Sequence, residues 1–283
     1  MLNVCDNLTT VLCPYCGSQD CSFWADELGY RAVRCNQCAL IYVNPAPTAE
    51  VSRSAIQNGY YTAENLSVVS RPQRYKVQRY RRVFSRLFPE IREGGAISWL
   101  DVGAGYGEIM QAVSKIAPEG SNIRGLEPMQ PKAAYAKAQG LDVTQEYLAS
   151  HHGPVDVVSL VDVFSHVQDF SSMLRDIANV LKPGGSLFME TGNLADLSLR
   201  EEFPGELGLP DHLVFAGEQH LKGFLERAGF QITHLESVRI DGLVYFMKGL
   251  VKRALGRPFV LSAPYTSKYR QLLIKATLTS PPK

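Results

Sequence analysis

From residue 97 onward, short apolar runs alternate with longer stretches of helical period. The runs at 97–102, 123–126, 141–144, 155–160 and 186–190 predict strands, each bounded by turn residues. Segments near 107–117, 131–139 and 171–181 separate them and predict helices. Lys182-Pro183-Gly184-Gly185 stops the last of these sharply, because proline cannot continue a helix and glycine tolerates positive φ. Residues 219–228 predict a further helix closed by Gly229, followed by strands at 230–238 and 272–279. Such alternation calls for an α/β fold, a mostly parallel sheet with helices on both faces.

Upstream, the pattern changes twice. Residues 48–89 read as mostly helical: Tyr75, Val77, Tyr80, Val83, Phe84, Leu87 and Phe88 recur near every 3.6 positions, with Arg and Lys between them. The basic run 71–86 is expected to be the solvated face of this amphipathic stretch, the alternative being an anion contact. Residues 1–45 form a short unit rich in cysteine and turn residues, ending at Asn44-Pro45-Ala46-Pro47 with Thr48 as a helix N-cap. The expected organisation is therefore 1–47, a small module; 48–93, a helical linker or lid; and 94–283, the α/β domain with an insertion at about 240–268. In the insertion, 243–255 is apolar with Lys248, Lys252 and Arg253 on roughly one side, expected to pack on its own domain. A lid, a dimer surface and an interfacial helix are the alternatives.

All six cysteines fall within the first 38 residues, which is not the spread of a disulfide-stapled fold. Cys13-Pro-Tyr-Cys16 and Cys35-Asn-Gln-Cys38 are separated by 18 residues, matching the spacing of a four-thiolate zinc site. A redox motif would need only one such pair. The reading is a structural Zn2+ ribbon, because four thiolates leave no open coordination position for catalysis. Cys5 and Cys21 are left over, as free thiols or small buried groups.

Charge narrows the function classes. With 29 Lys and Arg against 28 Asp and Glu, the net charge is +1, which argues against holding long nucleic acid by phosphate neutralisation. No run of 18 apolar residues exists, so no membrane span is expected. The start MLNVCDNLTT lacks a basic region followed by an apolar stretch, and the expected location is the cytoplasm.

The chemistry concentrates after the strand at 97–102, at Asp101-Val-Gly103-Ala104-Gly105-Tyr-Gly107. Glycines here permit a tight strand-to-helix turn and close approach of a ligand to the backbone. The spacing is GxGxG rather than the dinucleotide GxGxxG, and an acid stands two residues before the first glycine. A cofactor with a cationic centre explains that Asp101 better than a pyrophosphate would. Glu127, twenty residues past Gly107, ends the next strand where a carboxylate can accept both hydroxyls of a ribose.

These residues resemble the class I S-adenosylmethionine-dependent methyltransferases over 97 to about 238. DVGAGYG matches the family's first motif and Glu127 its ribose-binding acid; 155–169 is similar to its fourth strand, with Ser165 where many relatives have Glu; and 181–190 resembles its turn into the fifth strand. The resemblance implies a Rossmann-like sheet of order 3-2-1-4-5-7-6 with strand 7 antiparallel. It implies S-adenosylmethionine as cofactor, its methionine end over Gly103, Ala104 and Gly105, Val161 completing the site, and its adenine against Pro128, Met129 and the segment around Glu146-Tyr147. A four-Cys ribbon ahead of such a core, followed by Tyr60-Tyr61, is similar to sugar C-methyltransferases, whose further C-terminal domain this sequence does not extend into.

Methyl transfer from a sulfonium is an in-line displacement that rests on alignment, with a base where the acceptor is a hydroxyl or a carbon acid. Histidine titrates in the required range. His212, beside Asp211 beyond strand 5, is the first candidate, oriented by that carboxylate; His166, beyond strand 4, is the second. His220 is expected to be structural and His151-His152 to lie on the surface. The expectation is methyl transfer to a small molecule such as a sugar or secondary metabolite. Alternatives are an rRNA or tRNA methyltransferase using the ribbon for RNA, and a non-catalytic protein that senses the cofactor or binds a partner.

Overall fold

The computed structural model describes residues 7–61, 66–67, 71–203, 205–255 and 265–279, which leaves Cys5 outside. The N-terminal part comprises β1 (Leu8–Thr9), β2 (Cys21–Glu27), β3 (Tyr30–Cys35), β4 (Ile41–Val43) and β5 (Ala46–Pro47). Then come α1 (Ala49–Asn58), β6 (Tyr60–Tyr61), β7 (Leu66–Ser67), α2 (Arg74–Leu87) and α3 (Glu90–Glu93). The α/β part runs β8 (Ser98–Val102), α4 (Glu108–Ser114), β9 (Asn122–Leu126), α5 (Gln130–Ala138), β10 (Val143–Thr144), β11 (Val155–Val161) and α6 (Phe170–Val180). It continues with β12 (Leu181–Gly192), β13 (Val214–Phe215), α7 (Glu218–Arg227), β14 (Phe230–Arg239), α8 (Leu243–Ala254) and β15 (Arg270–Leu278).

The main sheet has the order β10-β9-β8-β11-β12-β15-β14. Only β15 runs against its neighbours, pairing antiparallel with both β12 and β14. That is the expected 3-2-1-4-5-7-6 arrangement. Two apolar layers cover it. On one face α2 and α4 pack Tyr80, Phe84, Phe88 and Val113 against Trp99, Val157 and Phe188, with Phe84 and Trp99 rings 5.0 Å apart. On the other, Leu174 and Ile177 of α6 and Leu221 and Phe224 of α7 cover Leu100, Val158 and Leu187.

Two local expectations change. The helical stretch from Thr48 breaks at Gly59, which sits at φ +84° and caps α1 in the left-handed region, so a short hairpin intervenes before α2. Thr48 does cap α1, its side chain accepting the Val51 amide. The second change concerns the cysteine-rich module, which is not a separate body. Its sheet has the order β13-β4-β3-β2, so the strand Val214–Phe215 of the α/β part completes it. Tyr42, Val33 and Cys35 share one core with Phe164, Phe224 and Leu187. In the 240–268 insertion, Leu243, Met247 and Val251 of α8, and Leu255 just after it, are exposed rather than packed. No helix among the described residues is long and apolar enough to cross a membrane.

Candidate active site

A cavity of about 840 Å³ opens at the carboxyl edge of the parallel strands. Its wall begins at the glycine turn. Gly103 (φ +76°) and Gly105 (φ +56°) both occupy the left-handed region that disfavours side chains. A Cβ on Gly103 would come within 2.5 Å of Val163, whereas Gly105 faces open space, with nothing nearer than 4.0 Å. Glu127 is buried and tied to this turn, its two oxygens accepting the amides of Gly105 at 2.7 Å and Met129 at 2.8 Å. Of the residues expected to bind a cofactor, Gly103, Ala104, Gly105, Glu127, Pro128, Met129 and Val161 line the cavity.

Asp101 and Gly107 do not line it. Gly107 (φ +84°) begins α4 and lies against Leu141, a packing role. Asp101 lies one layer beneath the turn, 1% exposed; its Oδ1 accepts the Ser159 hydroxyl at 2.5 Å, and its Oδ2 is buried with no hydrogen-bond partner. Burial pushes its carboxyl up to about 7. A buried carboxylate oxygen without a donor, beneath a turn open at Gly105, suits a cationic ligand overhead.

The far wall holds the histidines, and here the expected pairing is corrected. Asp211 does not orient His212. His166 Nδ1 lies 2.9 Å from the Asp211 carbonyl and 3.2 Å from its Oδ1. His212 instead hydrogen-bonds through Nδ1 to the Leu207 carbonyl at 2.7 Å, with its ring 4.7 Å edge-on from that of His166. Burial alone would depress His166, but the hydrogen bond and charge of Asp211 outweigh it and hold the imidazole above its ordinary range. Burial, followed by the proximity of His166, pushes His212 down. For Asp211, burial is opposed by His166, which holds the carboxyl below the usual range. All three residues line the cavity.

Long-range contacts fix this loop. The Ser165 carbonyl accepts the Leu213 amide at 2.6 Å, joining the helical turn 164–166 after β11 to the end of the 207–213 loop. From the cysteine module, Glu27 accepts the amides of Leu207 (2.7 Å), Gly208 (2.6 Å) and Leu209 (3.2 Å). His220, structural as expected, bonds the Cys38 carbonyl at 2.6 Å. Sequence reasoning missed the buried polar contacts between α2 and the sheet. Glu190, its side chain fully buried, receives Arg79 at 2.9 Å and the Tyr80 hydroxyl at 2.9 Å. Asp162, a non-glycine residue at φ +57°, lines the cavity and pairs with Lys76 at 3.1 Å. Part of the basic run therefore faces inward. The Tyr60-Tyr61 side chains lie outside the described residues.

The four cysteines Cys13, Cys16, Cys35 and Cys38 converge, with sulfur atoms within 4.8 Å of one another and pairs at 3.5 Å. Tetrahedral zinc with Zn–S of about 2.3 Å needs sulfur separations of about 3.8 Å, so the cluster fits this ion. Each pair forms a knuckle, Gly17 and Ala39 donating their amides to the carbonyls of Cys13 and Cys35.

The methyltransferase domain family matches residues 72–235, which is more than half of the chain. The chain belongs to the class I S-adenosylmethionine-dependent methyltransferases. Over 104 residues it is 35% identical to a ubiquinone biosynthesis O-methyltransferase of Escherichia coli, and equally to that of Shigella boydii, covering 33% of this chain. It spans only 42% of the length of these curated relatives. A solved S-adenosylmethionine-dependent methyltransferase from Mesorhizobium loti has the same fold, with a TM-score of 0.50 at 18% identity, covering 69% of this chain and 96% of its own.

Proposed function

We propose that this methyltransferase moves a methyl group from S-adenosylmethionine to a hydroxyl of a small, largely apolar acceptor, with His166 as the base. The observation that carries the reading is the His166–Asp211 pair, on the wall of the same cavity as the glycine turn and Glu127. When bound, S-adenosylmethionine supplies an electrophilic methyl on a sulfonium sulfur. Gly103, Ala104 and Gly105 hold its methionine end, Glu127 its ribose, and Pro128 and Met129 its adenine. A cation bound above the turn would favour the ionised form of Asp101. His166 Nε2 takes the acceptor's hydroxyl proton while Asp211 Oδ1 steadies the resulting imidazolium, the division of labour of a positioned acid–base pair. His212, held through Nδ1 by the Leu207 carbonyl, offers Nε2 as a hydrogen-bonding group beside it.

Two features favour an aromatic hydroxyl over the sugar expected from the resemblance. Phe203, Phe215 and Tyr269 line the cavity, the Phe203 and Tyr269 rings 4.7 Å apart. Apolar walls with a few polar groups suit a planar, weakly hydrated acceptor. The Escherichia coli relative is named for O-methyl transfer. In this reading the four thiolates hold a structural Zn2+, and the module it folds braces the loop bearing Asp211 and His212. The test is incubation with methyl-labelled S-adenosylmethionine and separate panels of phenolic compounds, nucleotide sugars and structured RNA. Label is expected on phenolic hydroxyls; label confined to sugars or RNA contradicts the acceptor class.

A further inference from the structure

The expectation that His151 and His152 both lie on the surface is half wrong: His151 is exposed, but His152 is buried. Both project Nε2 at one carboxylate oxygen, Glu146 Oε2, at 3.4 Å from His151 and 3.0 Å from His152. The Nδ1 of His152 lies between two main-chain groups of Ala149, the amide at 2.9 Å and the carbonyl at 3.0 Å. These two main-chain contacts fix the ring and aim Nε2 at Glu146; on binding an ion, Nδ1 takes the proton and donates to the Ala149 carbonyl, the outer support that metal-bound imidazoles carry. The three candidate ligand atoms lie within 4.8 Å of one another. A tetrahedral ion with bonds of about 2.0–2.1 Å requires ligand separations of about 3.3 Å, and the two observed distances bracket that value.

We propose that Glu146, His151 and His152 form a binding site for a divalent transition-metal ion of the zinc class, with water in the remaining position. Two imidazoles and one carboxylate are the donor set for such an ion rather than for calcium or magnesium. Access is open, since the Glu146 and His151 side chains are 47% and 69% exposed. The site is separate from both the thiolate cluster and the His166–Asp211–His212 group. An ion here ties Glu146, on the wall of the main cavity, to His152 in the interior, and so braces the cavity rim.

The experiment is a calorimetric titration of Zn2+ into full-length protein already carrying one zinc per chain, repeated on His151→Ala and Glu146→Gln. Both substituted side chains are solvent-exposed, so neither change threatens folding. The wild type is expected to take up a second equivalent, and each variant to bind it at least about tenfold more weakly, as loss of one ligand from such a set requires. With Co2+ in place of Zn2+, the second equivalent should add only weak visible bands, without the near-ultraviolet thiolate charge-transfer absorption. No second equivalent overturns the proposal, and so does one whose affinity is unchanged in both variants.

Discussion

Replacing Glu27 with alanine removes the acceptor of three main-chain amides in the loop that carries Asp211 and His212. A hydrogen bond to a charged group contributes about 1.5–3 kcal/mol when its partner is left bare. Two of these bonds are short and the third is 3.2 Å. The Glu27 side chain is 18% exposed, so water recovers part of the loss. We therefore expect the loop's arrangement to lose about 2–3 kcal/mol, an equilibrium factor of about 30–150. Hydrogen exchange reads this directly: the amides of Leu207, Gly208 and Leu209 should exchange faster by about that factor, while those of β8 and β11 keep their protection. Because the Leu207 carbonyl anchors His212, turnover should fall at least about tenfold with cofactor affinity unchanged. Wild-type exchange rates at Leu207–Leu209 in the variant would refute the claim that the cysteine module positions this loop. Loss of cofactor affinity in step with turnover would refute it equally.

Two further outcomes follow from the same contacts. Asp211 raises the imidazole affinity of His166 for its proton, so activity needs the pH to rise through that raised value. Asp211→Asn should move the acid limb of the pH–rate profile to lower pH and lower the plateau about 10- to 100-fold, whereas an unmoved limb would place the base elsewhere. Purified protein should hold zinc at the thiolate cluster, and Cys35→Ser should lose that equivalent by elemental analysis. Because β13 pairs with β4, the variant should also lose turnover while the parallel strands stay folded; full turnover without this zinc would contradict the bracing role.

Sequence patterns exposed what depends on local spacing. The parallel strands, the glycine turn, Glu127 at the end of β9 and the paired CxxC knuckles all follow from periodicity, turn chemistry or ligand spacing. What stayed hidden depends on contacts between distant residues. Asp211 and His212 are adjacent, and adjacency suggested that one orients the other; the fold instead brings His166 from 45 positions away to the carboxylate. Glu27 meets Leu207 across 180 positions, and Arg79 meets Glu190 across 111. In sequence, Arg79 is one more residue of a basic helix, and only the buried Glu190 on the sheet distinguishes it from Arg81 and Arg82. The α8 stripe illustrates the reverse limit, since an apolar helical period predicts burial yet leaves Leu243, Met247 and Val251 in solvent.

The most direct test of the account is the binding of S-adenosylmethionine itself, measured by calorimetry on the wild type and on Glu127→Gln. Glu127 lines the cavity and fixes the glycine turn through the Gly105 amide, its other oxygen accepting the Met129 amide. The wild type should bind at one saturable site per chain and the variant at least about tenfold more weakly, for the loss of about 1.4 kcal/mol or more from a charged acceptor. No heat of binding in the folded wild type, or equal affinity in both proteins, would contradict it.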